Sequence, residues 1–214
     1  MILNQQYLNT VYPESIATVN HGTIENVTTF KYLGCQIKYN EPSTGNTELE
    51  LRIDTAENKF YELGKKLMNW RIMLRTRTVV FNALVRSRLT YSCQIWSLTK
   101  KQTEHINARY TNMIRKMVRG GFRRKEGSYS YVITNEVLLQ KCNTESMVKY
   151  IRRQQRNFLA HIVRKSDTSI TKLLLFNNNK SIKQGRKVTL YDSVLKYENI
   201  TADTFNEKAY NRLY

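Results

Sequence analysis

The hydrophobic pattern of the chain changes period near residue 46. Before that point, apolar and β-forming residues come in short runs separated by turn residues. Thr18-Val19 leads into Asn20-His21-Gly22, Thr23-Ile24-Glu25-Asn26-Val27 alternates, and Phe30-Lys31-Tyr32-Leu33-Gly34-Cys35-Gln36-Ile37 is rich in aromatic and β-forming residues. Such runs predict short strands, with Gly34 placed for a bend or a close backbone approach. The stretch Asn40–Asn46, with Pro42 and Gly45, predicts a loop and a boundary.

Beyond the boundary the spacing is helical. Ile53, Ala56, Phe60, Leu63 and Leu67 recur at three and four residues while Arg52, Lys59 and Lys66 point elsewhere. A second helix is predicted over Thr76–Leu89, burying Val80, Ala83, Leu84 and Ser87. Thr99-Lys100-Lys101-Gln102 has the spacing of a capping box, with Thr99 as N-cap. From there Ile106, Tyr110, Met113, Ile114 and Met117 form an apolar stripe, opposite a polar one of His105, Arg109, Asn112, Lys116 and Arg119. Arg119–Gly127 reads as a flexible basic linker. Helices are predicted at Asn135–Cys142 and at Met147–Lys165, the latter burying Ile151, Phe158, Leu159 and Ile162 with Lys149, Arg152, Arg153 and Arg156 outward. Asn177–Lys180 reads as a polar loop, and a last helix is predicted from Thr204, where Thr204-Phe205-Asn206-Glu207 repeats the capping-box spacing. The fold class is mainly α: a small β segment over 1–46, a helical bundle over 47–119, a basic linker over 120–130 and a helical extension over 131–214.

Charge alters this picture most. Thirty-five Lys and Arg against 17 Asp and Glu leave a formal +18 on 214 residues. Residues 1–50 hold two Lys and five Glu, so the remaining 164 hold 33 basic and 12 acidic residues, a net +21. Solubility needs far less, and such a surface suits a polyanion, most often nucleic acid. Fourteen Tyr, seven Phe and two Pro are not the composition of a disordered tail. The three cysteines, Cys35, Cys93 and Cys142, are odd in number and far apart, which predicts no disulfide framework and a reducing compartment. No apolar run approaches the ~18 residues of a membrane span. Met1-Ile2-Leu3-Asn4 has neither the basic nor the apolar region of a signal peptide. The expectation is a soluble intracellular chain, in nucleus or cytoplasm, with no membrane and no small-molecule partner.

Catalytic chemistry finds little to work with. The four Asp (Asp54, Asp167, Asp192, Asp203) are scattered, and no Tyr-x-Asp-Asp occurs to gather two metal ions. His21, His105 and His161 stand at no zinc-site spacing relative to each other or to the cysteines. Gly64 and Gly120-Gly121 match no nucleotide fingerprint. No catalytic residue, metal ligand or cofactor is therefore predicted. Binding remains, through cations that contact phosphates and aromatic residues that can stack on bases. The dense candidates are Lys65-Lys66, Arg71/Arg75/Arg77, Arg86/Arg88, Arg119 to Lys125 (with Arg123 and Arg124), Arg152/Arg153/Arg156 and Arg186-Lys187, joined by Arg109 and Lys116 of the basic stripe. Any one cluster alone reads as a solvated helix face; the sum favours a polyanion. Trp70 and Trp96 are read as core or hinge residues rather than stacking platforms.

Several stretches carry a family likeness. Phe30-Lys31-Tyr32-Leu33-Gly34-Cys35 resembles the Phe-Lys-Tyr-Leu-Gly segment that follows the catalytic palm motifs of LINE-type (non-LTR) retrotransposon reverse transcriptases. Met1–Asn4 and Asn20–Glu25 look like the strands and turn that precede it there. Arg52-Ile53-x-x-Ala56-x-x-x-Phe60-x-x-Leu63 is similar to their first thumb helix, and Asn82–Thr99 resembles their most recognisable C-terminal stretch. Arg152–Arg164 is similar to their tail motif, although Ala160 stands where Gly is usual. Gly185-Arg186 follows, with Leu190 or Tyr191 where Trp is common and without the Pro.

The resemblance implies a primer grip at Phe30–Ile37, with Phe30, Lys31, Tyr32 and Gly34 beside the nucleic acid, a thumb over 48–119 and a nucleic-acid-contacting extension over 147–214. It implies RNA and/or DNA as partner, as a template–primer duplex. The parent reaction is RNA-directed DNA synthesis with Mg²⁺. The fingers and catalytic palm lie upstream of Met1 in the family, so a truncated copy or incomplete gene model is expected, inactive as a polymerase on its own. The alternatives are a repurposed host RNA- or DNA-binding protein and a helical protein-interaction module.

Overall fold

The structure is a computed structural model that describes residues 15–17, 23–25, 27–38, 46–118, 122–125, 128–131, 133–176 and 190–211. Strands β1 (Ser15–Ala17) and β2 (Thr23–Glu25) pair antiparallel, as do β3 (Thr29–Tyr32) and β4 (Cys35–Lys38). Tyr32 opposes Cys35, leaving Leu33-Gly34 as a two-residue turn. Both central residues have positive φ, 46° at Leu33 and 82° at Gly34. This is the signature of the mirror-image turn whose twist matches a hairpin, and it suits Gly but disfavours Leu.

Helices then dominate, and the chain is mainly α with its small β segment on the N-terminal side. Helix α1 (Asn46–Glu62) buries Leu49, Ile53, Ala56 and Phe60, and α2 (Gly64–Leu67) buries Leu67. Helix α3 (Leu74–Phe81) runs through a π turn at Asn82–Arg86 into α4 (Ser87–Leu89). The buried face is opposite to the one predicted for this segment, before the widened turn as well as after it. Ala83, Leu84 and Ser87 are exposed and Val80 half-buried, whereas Thr78, Phe81, Val85 and Leu89 are buried. One π turn carries an extra residue, so the buried line after Phe81 advances by four and four rather than alternating three and four.

A short 3₁₀ turn at Cys93–Ile95 precedes α5 (Lys100–Val118). The capping box forms as its spacing predicts: the Thr99 amide donates to Gln102 Oε1 at 2.9 Å and the Gln102 amide to Thr99 Oγ1 at 3.3 Å. The apolar stripe is buried throughout, at Ile106, Tyr110, Met113, Ile114 and Met117. The run read as a basic linker contributes β5 (Phe122–Lys125), paired antiparallel with β6 (Ser128–Tyr131). Helices α6 (Asn135–Lys141) and α7 (Met147–Val163) start on Thr134 and Ser146, whose hydroxyls accept from Val137 N and Lys149 N. Two helices that the pattern does not predict follow, α8 (Ile170–Phe176) and α9 (Leu190–Glu198). Helix α10 (Ala202–Tyr210) is capped by Thr201, not Thr204: Thr204 donates its amide to Thr201 Oγ1 at 3.3 Å.

Two compact units divide the chain. The first comprises Met1–Tyr91 and Ser97–Met113, the second Ser92–Trp96 and Ile114–Tyr214. In the first, rings from three helices join, Phe60 and Phe81 edge to face with centroids 6.1 Å apart, and Phe81 and Tyr110 tilted at 46° with centroids 5.7 Å apart. In the second, Leu159, Ala160 and Val163 of α7 pack with Tyr191, Val194, Phe205 and Ala209. Gln155, buried on α7, donates to the Trp96 carbonyl at 2.8 Å.

Leu33 is 76% exposed, so replacing it sacrifices little burial while its backbone remains left-handed. Leu33→Asn is expected to stabilise the protein by about 1 kcal/mol, because Asn tolerates this conformation and Leu does not. Thermal unfolding should read a midpoint raised by about 2–4 °C; a lowered midpoint contradicts the turn geometry.

Candidate nucleic-acid interface

The cations singled out in the sequence fall into two groups, and the difference is whether an internal partner already holds them. Arg109 donates Nη2 to Glu57 at 2.6 Å. Arg153 is paired with Glu145, and Arg156 with Glu198 at 3.4 Å. Arg152 donates Nη1 to both Gln155 Oε1 and Ser193 Oγ at 3.0 Å, and lies 5.2 Å from the Tyr197 ring centroid. Burial holds its pKa below the usual guanidinium value, partly offset by Tyr197. Arg77 donates Nε to the Ile72 carbonyl at 3.0 Å and Nη1 to that of Leu67 at 3.1 Å. These five are braces of the fold. The outward face expected for Arg152, Arg153 and Arg156 is instead turned partly inward, because α9 and the segment before α7 supply Ser193, Glu198 and Glu145.

The second group is open. Lys65 and Lys66 of α2, and Arg71 and Arg75 around the start of α3, are exposed and make no ion pair among the described residues. Lys31 on β3 is likewise exposed. Arg86, half-buried in the π turn, has an internal partner, and Arg88 lies close enough to Glu62 to help hold that carboxyl below its ordinary value, after Lys59. Lys116 is exposed on α5 with a partner of its own. Arg123, Arg124 and Lys125 stand on β5; Arg119, Arg186 and Lys187 lie outside the described residues.

In the β3–β4 hairpin, strand β3 is presented rather than buried. Every β3 residue is exposed, Phe30 by 38% and Tyr32 by 56%. Its turn is fastened from behind. Tyr91 Oη donates to the Leu33 carbonyl at 2.7 Å, and Arg52 Nη2 donates to the Gly34 carbonyl. Arg52 also donates Nε to Glu48 Oε1 at 2.6 Å and lies 4.5 Å from the Tyr91 ring centroid. Glu48 accepts the Gln36 amide at 2.8 Å through Oε2, although it is only 2% exposed. Gly34 therefore does provide the close approach its position predicts, but to Tyr91: a Cβ there would stand 3.4 Å from the Tyr91 hydroxyl. The roles of Glu48, Arg52 and Tyr91 lie beyond sequence reasoning, since Tyr91 is 58 residues from its acceptor.

Trp96 is buried, whereas Trp70, read as a core or hinge residue, is 71% exposed in the connection between α2 and α3, which removes the core half of that reading. A signal existed in its neighbours, Asn69 and Arg71, both polar between two helices. Metal chemistry has no foothold among the described residues, where no group of three or more His, Cys, Asp or Glu side chains could hold an ion. A cleft of about 540 Å³ is lined by Asn46, Leu49, Glu50, Thr99, Lys101, Gln102 and His105; His105 Nε2 sits 3.1 Å from Glu50 Oε1, and Gln102 Nε2 donates to Asn46 Oδ1 at 2.9 Å. Among the described residues no helix is long and apolar enough to cross a membrane. Set against protein-family models, curated proteins and solved structures, the chain matches none of them.

Two predictions follow from this geometry. Arg52→Ala leaves the buried Glu48 carboxylate without its cation, and should cost about 3 kcal/mol in urea unfolding; a loss under ~1 kcal/mol would mean that the exposed side of the pair dominates. Burial pushes the Cys93 thiol up to about 12 from 9.0. Its folding contribution is thus complete below pH ~9 and is lost as pH rises towards 12. At pH 8 iodoacetamide should label half-buried Cys35 well before buried Cys93 and Cys142, which peptide mapping by mass spectrometry reads directly.

Proposed function

We propose that this chain is a nucleic-acid-holding segment of a LINE-type reverse transcriptase, comprising the end of the palm with its primer grip, a helical thumb and a C-terminal extension. It grips a template–primer in the nucleus or cytoplasm. It holds the strand and leaves phosphoryl transfer to other residues of such an enzyme, because its four Asp are dispersed in sequence and Asp167 is already engaged by Lys172 at 2.7 Å. The observation that carries this reading is the set of exposed cations without acidic partners among the described residues at Lys65, Lys66, Arg71 and Arg75, in a chain of net charge +18. Cations left open cost self-repulsion, and a polyanion relieves it. The hairpin adds exposed Phe30, Lys31 and Tyr32 on a turn held by Arg52 and Tyr91, so its backbone is set before a strand arrives. Phosphate contacts of this kind fix position without reading sequence.

The test is a filter-binding titration over salt. Affinity for duplex should fall linearly in log–log form, by about 0.9 in slope for each phosphate neutralised. Replacing Lys65, Lys66 and Arg75 together by Ala should reduce the slope by about three, whereas Arg153→Ala, which removes a cation already paired with Glu145, should leave it unchanged. A titration flat in salt defeats the proposal. Nucleotide incorporation by the isolated chain on a primed RNA would show that holding is not its whole role.

A further inference from the structure

Trp70 lies in the connection between α2 and α3, where a large aromatic side chain is ordinarily buried. It is 71% exposed, and Met73 three residues on is 73% exposed. The connection is nonetheless tightly tied. The Met68 amide donates to the Gly64 carbonyl at 2.9 Å, the Asn69 amide to that of Lys66 at 3.3 Å and the Ile72 amide to that of Asn69 at 3.2 Å. The Asn69 side chain accepts the Arg71 amide at 3.0 Å, closing an Asx-turn around Trp70. Arg77 then clamps both ends of the segment through the carbonyls of Leu67 and Ile72. An indole held out on a fixed backbone loses little freedom when something lies against it.

Its surroundings say what that something is. The Arg71 guanidinium lies 5.8 Å from the Trp70 ring centroid, within cation–π range. Lys65, Lys66 and Arg75 stand within five residues of Trp70 along this tied segment, exposed and without ion pairs among the described residues. A ligand satisfying this segment has a planar unsaturated face and anionic groups on either side of it. We propose that Trp70 and Arg71 form a stacking platform for an unpaired base of a single-stranded polynucleotide, with Lys66 and Arg75 taking the adjacent phosphates. The inference rests on the polynucleotide reading above and adds the form of the strand and the residue that senses it. Bases within a duplex are already stacked on each other and offer the indole no face. Acidic peptides would satisfy the cations but bring no ring. Stacking of this kind is tolerant of sequence, since every base has a π-face.

The chain has two tryptophans, and Trp96 is 2% exposed, so a change of emission on adding a short ligand reports Trp70. Oligo(U) and oligo(dT) of equal length should each quench it, saturating at the Kd seen by filter retention. Trp70→Ala should weaken single-strand binding roughly 10-fold, leave the salt slope and the affinity for blunt duplex unaltered, and keep the far-ultraviolet circular dichroism of the parent. Trp70→Phe should recover most of the loss. Salt-dependent oligonucleotide binding with unquenched Trp70 and an unaffected Trp70→Ala variant overturns the platform and leaves the holding function standing. No retention of any polynucleotide by the parent chain overturns both. Equal quenching by poly-glutamate would show a charge effect in place of stacking, and also overturns it.

Discussion

A buried guanidinium organises the N-terminal unit. Arg52 sits on α1 with 11% of its side chain exposed and touches three things at once: the Glu48 carboxylate one turn back, the Gly34 carbonyl and the Tyr91 ring. Glu48 in turn takes the Gln36 amide, and Tyr91 takes the Leu33 carbonyl. Thus β4, the hairpin turn, α1 and the residues after α4 meet around one planar cation whose fork of donors a lysine could not reproduce. The unfavourable left-handed backbone at Leu33 is tolerated because both turn carbonyls find donors. Without that arrangement, a two-stranded hairpin of this length would be marginal in water.

The same physics sorts the rest of the positive charge. A cation near an acid or a spare carbonyl becomes a fastener; one with neither becomes a surface charge. Arg77, Arg109, Arg152, Arg153 and Arg156 are fasteners. Lys65, Lys66, Arg71 and Arg75 are surface charges, all within five residues of exposed Trp70 along the chain. High net charge therefore does not translate into a uniformly sticky surface. It concentrates where acids are missing.

Long amphipathic periods were legible in the sequence. The stripes of α1, α5 and α7 predicted their buried sides because each helix packs one continuous face over many turns, and the Thr99–Gln102 box predicted the start of α5 because capping is local. What was missed depends on non-local partners or on exceptions to the period. The buried face of Thr76–Leu89 is opposite to the predicted one already at Thr78 and Phe81, before the π turn, because apolar residues stand on both sides of this segment. The capping-box spacing points to Thr204, whereas the cap is Thr201, whose segment Thr201-Ala202-Asp203-Thr204 lacks the reciprocal acid or amide three residues on. The outward reading of Arg152, Arg153 and Arg156 failed because their acceptors lie on other segments, up to 42 residues away. Composition gives the excess of positive charge, but only the fold separates the open cations from the engaged ones.

The π turn at Asn82–Arg86 carries one more consequence. An α-helix with a residue inserted and not expelled takes this form, so the segment behaves as a helix carrying a spare link. Rewinding the same residues into a regular α-helix would rotate everything downstream by about 100°. Leu89 would swing out of the interior, and Tyr91 would lose its reach to Leu33. Local regularity and the distant fastening of the hairpin are therefore mutually exclusive in this chain, and the irregular backbone is the form compatible with the fastening.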